Sequence, residues 1–437
     1  MTENGRHLDL PRGFHDTSPD RMAMYLTLQQ EWFDTCGLAG YQPVQVPPVG
    51  FTDTFTVGHH AAGQKLYRFP DRRGRDLTLI SDSLPALLRV THARNLPEQR
   101  LSYCCPIFRY ERRPRRHFHH LGLIEVLDRP NSLAEQRRST ARLAETIIRF
   151  LTPLLPVVFI VTDPGLWHTI AETLLPSRKT TEFLNSVRRL LPNERPAQLR
   201  QQDAPPPFVH LAERLTTNPA LLDDPGDHLT IDGLPQAVHD RISACHELAT
   251  VLRHHGADAT VDLGELHASE FHDGPSLLFR PRGERRLLGD GGSYGLFADA
   301  FLGAATAVHS AVVGLERLAD IITTTESTRP AADIAILTHP EQATVIHADQ
   351  LTTSLRSAGI AVWDLVLTKS LRQHLRDLSG LAIPYSILIG AQELNAHEYT
   401  IRNSDGIHYA VTSHRLVQWI LDRRPARPHG HTGGREP

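Results

Sequence analysis

Arg109 and Glu111 stand two residues apart in the run Cys105-Pro106-Ile107-Phe108-Arg109-Tyr110-Glu111. That spacing reads as one face of a β-strand, because strand side chains alternate sides with period two. An arginine so placed can grip a phosphate or a carboxylate with two parallel N–H donors, and the glutamate can accept from an exocyclic amine. Holding ATP against an acyl group requires those contacts. The chain then crosses the basic stretch Arg112 to Arg116 into His117-Phe118-His119-His120-Leu121-Gly122, where the Phe118 ring could stack on a base. Taken alone, Arg-x-Glu on a strand also fits a solvated cross-strand ion pair worth little.

The elements that must position these groups are partly legible. Met22, Tyr25, Leu26, Trp32 and Phe33 recur at helical spacing between Ser18 and Gly37, which predicts an amphipathic helix. Tyr41 to Val49 is β-prone but carries Pro43, Pro47 and Pro48, as an edge strand would. Leu77 to Ile80 reads as a short strand. Ser132 with Glu135 three residues on predicts a capping box, opening a helix through Leu143, Ile147 and Leu151. Between Pro176 and Pro235 the chain is polar, helical and proline-rich, with Pro205, Pro206 and Pro207 expected in a loop. Beyond Arg329 and Pro330, strand Ile334 to Leu337, helix Ala343 to Ala358 and strand Ile360 to Val366 predict a second, parallel-sheet α/β unit. The Pro-, Gly- and His-rich segment 424–437 is expected to be a disordered tail.

Composition narrows the class. With 437 residues, 40% hydrophobic and 22% charged, the chain is long enough for a large domain and a smaller one. A net charge of -3 gives no global attraction for polyanions, so RNA contact would rest on local clusters such as Arg112 to Arg116. Four cysteines without CxxC spacing fit a reduced, cytoplasmic setting. No stretch reaches the ~18 apolar residues of a membrane span, and Met1 to Leu10 has no apolar leader core. The 26 histidines never fall into an HExxH or CxxC…HxxxH pattern, so no structural metal site is expected.

The Arg109 run resembles the second signature motif of class II aminoacyl-tRNA synthetases. Pro11-Arg12-Gly13-Phe14-His15-Asp16-Thr17-Ser18-Pro19 resembles the opening of histidyl-tRNA synthetases, and Tyr67-Arg68-Phe69 through Leu79 their next strand pair. Gly314-Leu315-Glu316-Arg317-Leu318, entered by apolar Ala311-Val312-Val313, resembles the third motif. Lys369 to Leu375, followed by Tyr385 to Gly390, resembles the family's anticodon-binding domain. The resemblance implies an α/β chain. Its core, residues 1–325, would be a mixed, mostly antiparallel sheet flanked by helices, with a helical insertion near 165–250. An anticodon-binding-like domain would span 331–423. It also implies a homodimer paired through the strand near Val44 to Val49. For the site it implies ATP with Mg2+, Arg109 on the α-phosphate and acyl carboxylate, Glu111 and Phe118 on adenine, and Arg317 on the γ-phosphate.

The amino-acid pocket departs from the family pattern. His267, in His267-Ala268-Ser269-Glu270-Phe271-His272, stands where the family has a catalytic arginine, and His272 falls in the tyrosine-bearing part of that segment. Gly291-Gly292-Ser293-Tyr294-Gly295 keeps the family's tyrosine as Tyr294 and loses two charges. Asp82 replaces a glutamate. The glutamine and glutamate after the second motif fall at His120 and Ile124, or at Glu125 if the register slips by one. Val261 to Leu266, Asp82 and the helical middle also resemble the regulatory subunit of the short-form ATP phosphoribosyltransferase.

Three functions follow as expectations. The first is an ATP-dependent ligase that makes an aminoacyl-adenylate and passes the acyl group to tRNA or another acceptor, with histidine or a different amino acid. The second is a non-catalytic paralogue that binds histidine or ATP and controls a partner enzyme. The third is an RNA-binding or scaffold module without chemistry.

Overall fold

The computed structural model describes residues 9–57, 66–110, 115–174, 183–184, 187, 190–191, 193–201, 203–220, 235–266, 272–302, 306–322, 331–395 and 398–424. Glu111, His267 and all of the expected tail except Arg424 lie outside these residues. The chain divides into two compact units, Met1–Thr323 and Thr324–Pro437.

In chain order the first unit has strands β1 (Gln42–Pro43), β2 (Val49–Phe51), β3 (Arg68–Pro70), β4 (Asp76–Leu79), β5 (Glu98–Phe108), β6 (His117–Asp128), β7 (Val157–Thr162), β8 (Asp258–Val261), β9 (Ser276–Pro281), β10 (Gly289–Ser293) and β11 (Thr306–Gly314). Among the described residues, eight of them form one sheet in the order β1-β5-β6-β11-β10-β9-β7-β8, and β2, β4 and β3 form a small second one. Every pairing from β5 to β7 across the large sheet is antiparallel, while β1 on β5 and β8 on β7 are parallel.

The sheet's two faces are differently covered. Leu121, Leu123, Ala311, Val313, Leu277 and Phe279 pack on one side against Trp32, Leu143, Ile147 and Leu248, from helices Pro19–Leu38, Leu133–Leu151 and Gln236–His254. On the other side Leu101, Tyr103, Ile107, Ile124 and Val308 meet Leu87, Leu88 and Phe297, from the shorter helices Ser83–Arg94 and Gly295–Leu302. The long helices seal the first face. The second face carries the candidate site.

Local chemistry explains where the elements begin. The Ser18 and Ser132 hydroxyls accept the backbone N–H groups of Arg21 and Glu135 and so cap two of the long helices. The reciprocal half of the expected capping box is not used, since Glu135 turns its carboxylate to Arg129, Ser139 and Arg142. The Tyr41 to Val49 run gives the two-residue β1 and, at Val49, the start of β2; Pro47 and Pro48, which have no N–H to donate to a ladder, lie between them. Pro205 to Pro207 do not form a loop: Pro205 caps and Pro206 opens the helix Pro206–Thr217, at a position that needs no N–H donor. That helix lies with Pro164–Leu174, Arg195–Gln201 and Gln236–His254 between β7 and β8.

The second unit has strands β12 (Ile334–Thr338), β13 (Val362–Val366), β14 (Tyr385–Ile389), β15 (Glu398–Asn403) and β16 (His408–Thr412), in the order β13-β12-β14-β15-β16. β12 pairs in parallel with β13 and β14, as the alternation of strand and helix predicts. The sheet is nevertheless mixed, because β15 and β16 add an antiparallel hairpin. Its turn is closed by Asn403, whose Oδ1 accepts the Ile407 N–H, and by Gly406 at φ +87°.

Candidate active site

β5 stops at Phe108, so Arg109 is the first residue past the strand and does not share it with Glu111. The ladder still continues one step, the Arg109 N–H donating to the Arg116 carbonyl at 2.9 Å. The Arg116 N–H donates in turn to the Gly13 carbonyl at 2.9 Å, which stitches the Pro11 to Phe14 segment to this loop. Gly13 sits at φ +86°, and a Cβ there would come within 2.6 Å of the Arg116 side chain. The Arg109 guanidinium is held on one edge: Nε donates to the Ser81 carbonyl at 2.8 Å and Nη2 faces Asp82 Oδ2 at 3.5 Å. Its carbon lies 5.6 Å from the centroid of the Phe118 ring, and the side chain keeps 30% of its surface exposed.

The second arginine reaches the same region from another strand. On β6, Phe118 and His120 share the face of Ile124, and their rings are 5.3 Å apart. His120 is paired with Cys105 on β5 and with Gly314, the last residue of β11. Helix Leu315–Ile322 starts at the next residue, and Arg317 in its first turn runs back over Gly314 while Nη1 donates to the Leu287 carbonyl at 2.9 Å. The His120 ring is held neutral, its pKa pushed well below the ordinary histidine value by burial first, then by the positive charges of Arg109 and Arg317. One imidazole thus feels both guanidinium groups.

Asp82, Tyr294 and His272 complete this side. Asp82 caps helix Ser83–Arg94 by accepting the Leu84 N–H through Oδ1 at 3.0 Å, and presents Oδ2 to Arg109. The Tyr294 hydroxyl is held far from ionisation by burial, with the negative charges of Asp290 and Asp82 adding to it and Arg109 opposing. It remains a proton donor. The buried His272 lies at β10's end, its Nδ1 3.2 Å from the Ser293 carbonyl and its ring 4.5 Å from that of Tyr294. Arg109, Phe118, His120, Arg317, Asp82, Tyr294 and His272 therefore gather on one face and at its margin.

Glu125 does not. It lies one residue out of phase with His120 and faces the long helices, fully buried, where Arg142 donates to its two oxygens at 3.1 and 2.6 Å and Tyr41 donates at 2.8 Å. Burial alone would raise its pKa, yet the bonds and charge of Arg142 hold it below the usual range. The residue of β6 that faces the site here is the apolar Ile124. Of the two registers open in the sequence, the one without a carboxylate is the one adopted.

Asp290 was not singled out from the sequence. It pairs with Val312 of β11 and Leu278 of β9, and stands four residues before Tyr294, on the site face. The period-two rule applied backwards from Tyr294 would have found it. Among the described residues no three His, Cys, Asp or Glu side chains converge as a metal site, and no helix is long and apolar enough to cross a membrane.

Residues 13–317 match the family model described as histidyl-tRNA synthetase, and residues 333–423 match the model of the anticodon binding domain. A histidine-tRNA ligase of Archaeoglobus fulgidus is 22% identical over 424 residues, 95% of this chain and 99% of that protein. An ATP phosphoribosyltransferase regulatory subunit of Moorella thermoacetica is 36% identical over 124 residues, covering 26% of this chain and 32% of that protein. The crystal structure of histidyl-tRNA synthetase from Nostoc sp. PCC 7120 superposes with a TM-score of 0.75 at 17% identity, over 95% of this chain and 99% of that one. The fold is that of a class II synthetase core with a separate sheet domain after it, and the chain belongs to the histidyl-tRNA synthetase family.

Proposed function

We propose that this chain is an ATP-dependent ligase that forms an aminoacyl-adenylate and transfers the acyl group to tRNA or another acceptor. The observation that carries this reading is the strand register at His120: Cys105 on β5 and Gly314 on β11 flank it in the sheet, four and three residues before Arg109 and Arg317, so two arginines from distant segments follow adjacent positions of one sheet. In this reading Arg109 bridges the α-phosphate and the substrate carboxylate, and Arg317 meets the γ-phosphate. The adenine lies on Phe118, with Glu111 accepting from its amine, while Asp82, Tyr294, His120 and His272 surround the amino acid.

The carboxylate oxygen attacks the α-phosphorus, a new C–O–P bond forms, and the bond to the β-phosphate oxygen breaks to release pyrophosphate. An acceptor hydroxyl then attacks the acyl carbon, giving up its proton to the departing phosphate oxygen or to solvent as the acyl C–O bond to AMP breaks. The neutral His120 adds no third positive charge, and the Tyr294 phenol can donate to the ammonium's carboxylate partners or to the substrate. Rate would come from positioning and charge neutralisation, since the step needs no protein nucleophile. ATP would enter as its magnesium complex, the cation supplying neutralisation of the phosphate charge. His267 stands where the family carries a catalytic arginine and would serve there as a weaker phosphate partner. The second unit is the tRNA-binding domain in this reading. The chain acts as a cytoplasmic homodimer.

A second reading has one feature in its favour: His267, together with the stretch that is similar to the Moorella regulatory subunit, fits a non-catalytic paralogue that binds histidine or ATP. Pyrophosphate exchange with each of the standard amino acids separates the two. Exchange with any one of them supports the ligase, whereas no exchange beside measurable binding of ligand sinks it in favour of the regulator.

A further inference from the structure

Tyr294 is held by one residue on both of its flanks. The Asp273 N–H donates to the Ser293 carbonyl, just before Tyr294, at 3.3 Å, and the Asp273 carboxylate accepts the Gly295 N–H, just after it, at 3.2 Å. The Ser293 carbonyl also lies 3.2 Å from Nδ1 of His272, whose ring stands 4.5 Å from that of Tyr294. Asp273 thus brackets one residue of the site and directly follows another. Its own backbone is fixed from a third direction. Arg241, on helix Gln236–His254, donates through Nη1 to the Asp273 carbonyl at 3.3 Å and to the two carboxylate oxygens of Asp163 at 3.2 and 3.0 Å. Asp163 joins β7 to helix Pro164–Leu174 and its side chain has no exposed surface, so the ion pair is anchored where the helices between β7 and β8 leave the sheet. The packing leaves no slack around it: a Cβ on Gly165 would collide with the Asp273 carbonyl, and one on Gly295 with the Asp273 carboxylate.

We propose that Asp273 and Arg241 are positioning residues for the amino-acid half of the site, and that the Arg241–Asp163 pair couples the helices between β7 and β8 to Tyr294 and His272. The proposal rests on the reading in which Tyr294 and His272 surround the amino acid. Neither Asp273 nor Arg241 needs to touch the substrate. A buried ion pair is often no more stabilising than apolar side chains of the same volume, so stability alone does not account for one here. What it supplies is direction: with both Asp163 oxygens holding Nη1, that nitrogen presents a donor at a fixed place to the Asp273 carbonyl. A shift of helix Gln236–His254 against β7 therefore acts on the Asp273 peptide, and through its two bonds on the backbone either side of Tyr294. The groups assigned to ATP belong to other elements, Arg109 following β5, Phe118 on β6 and Arg317 on helix Leu315–Ile322. Amino-acid affinity should depend on this linkage, and ATP affinity should not.

Calorimetric titration of the full chain with ATP and with each standard amino acid tests this. The double change Asp163→Asn with Arg241→Gln removes both charges and strands neither, and Asp273→Ala removes the carboxylate that accepts from Gly295. In each, the amino acid that the native chain binds most tightly should lose about tenfold or more in affinity while ATP stays within about twofold, as expected when a change outside the site misplaces one half of it. Asp273→Asn keeps an oxygen for the Gly295 N–H and should recover most of the loss. Circular dichroism checks that each variant folds; if the double variant does not, the contrast between Asp273→Ala and Asp273→Asn decides. Equal losses for ATP and the amino acid, unchanged amino-acid affinity in the folded variants, or no amino-acid binding by the native chain overturns the proposal. Pyrophosphate exchange keeps the two claims apart: the expected losses without any exchange sink the ligase and leave the positioning role, whereas exchange with an amino-acid affinity that no variant changes does the reverse.

Discussion

Arg109 lies over the Phe118 ring, the guanidinium carbon 5.6 Å from the ring centroid, although one follows the end of β5 and the other is the second residue of β6. The pair makes a ledge with a cationic edge and an aromatic surface, suited to a nucleotide's α-phosphate and base. Arg317 follows Gly314 of β11, on the opposite side of β6 from β5, and in the proposed reading it meets the γ-phosphate. The two arginines are therefore separable by ligand. Arg109→Ala should weaken AMP and ATP alike by roughly 10- to 100-fold, as expected for loss of a charge-assisted, two-pronged contact. Arg317→Ala should weaken ATP by a similar factor and leave AMP within about twofold. Equal losses for AMP in both variants would sink the assignment. Thermal unfolding of Arg109→Ala should change little, since its ion pair with Asp82 is long and partly exposed.

Much of this arrangement was readable from the chain because it depends on local rules. Trp32 and Tyr25 fall on the buried side of helix Pro19–Leu38, as their spacing requires, whereas Met22 and Leu26, read as part of the same pattern, are 41% and 54% exposed. The strand that enters Gly314 is apolar because it is central and covered on both faces. What was not readable turned on register and on proline. A slip of one residue in β6 exchanges Ile124 for Glu125 at the site, and no composition rule decides which faces it; the Arg142 and Tyr41 bonds to Glu125, from elements 17 and 84 residues away, do. Pro206 looked like a loop marker, yet its fixed φ and missing N–H suit a helix's first turn equally well. The β15–β16 hairpin was missed although Asn403 and Gly406 carry its turn signal, because the alternation of strand and helix before it set the expectation. Asp290 stands in a run of glycines, Gly289-Asp290-Gly291-Gly292, whose side chains give no alternation from which its face could be read.

Glu125 and Arg142 give a stability prediction. The carboxylate has no exposed surface, and Arg142 supplies its nearest charge. Arg142→Met should cost about 3–5 kcal/mol, because it strands a buried anion whose other arginine, Arg100, is 3.7 Å away. The double change Arg142→Met with Glu125→Gln should cost less than the two single changes summed, as interacting neighbours do. Urea unfolding of the four proteins measures both. Strict additivity would mean that the pair is not coupled.

The packing of Tyr103 against β6 can be tested through Gly122. An alanine there would push its methyl into the Tyr103 ring, which is buried and anchored by Ser83. Gly122→Ala should therefore destabilise the chain by about 1–3 kcal/mol, the usual cost of an extra methyl in a packed core. Tyr103→Phe in the same background keeps the clash, so it should not restore stability. Full recovery in the double variant would show that the hydroxyl, and not the ring, is the obstruction.

His309 provides a prediction in pH. It lies on β11 between Glu125 and Ser293, fully buried, and burial pushes its pKa down to about 4 even though Glu125, Asp273 and Glu135 pull upward; Arg142 adds to the depression. Above about pH 6.5 the ring is neutral in the folded and the unfolded chain, and its ionisation costs nothing. Between about 6.5 and 4 the unfolded chain binds a proton that the folded chain refuses. Stability from this residue therefore falls with acid over that window, by up to about 1.4 kcal/mol per pH unit. Asp163 works the other way, since burial raises its carboxyl to about 6 against the pull of Arg241, and the folded chain takes up its proton first. The informative quantity is thus the difference between the native chain and His309→Gln, which cancels the Asp163 contribution. Urea unfolding at several pH values between 7 and 4.5 should show the native chain losing stability faster than the variant. Parallel curves would mean that His309 titrates normally and that its strand opens to water in acid.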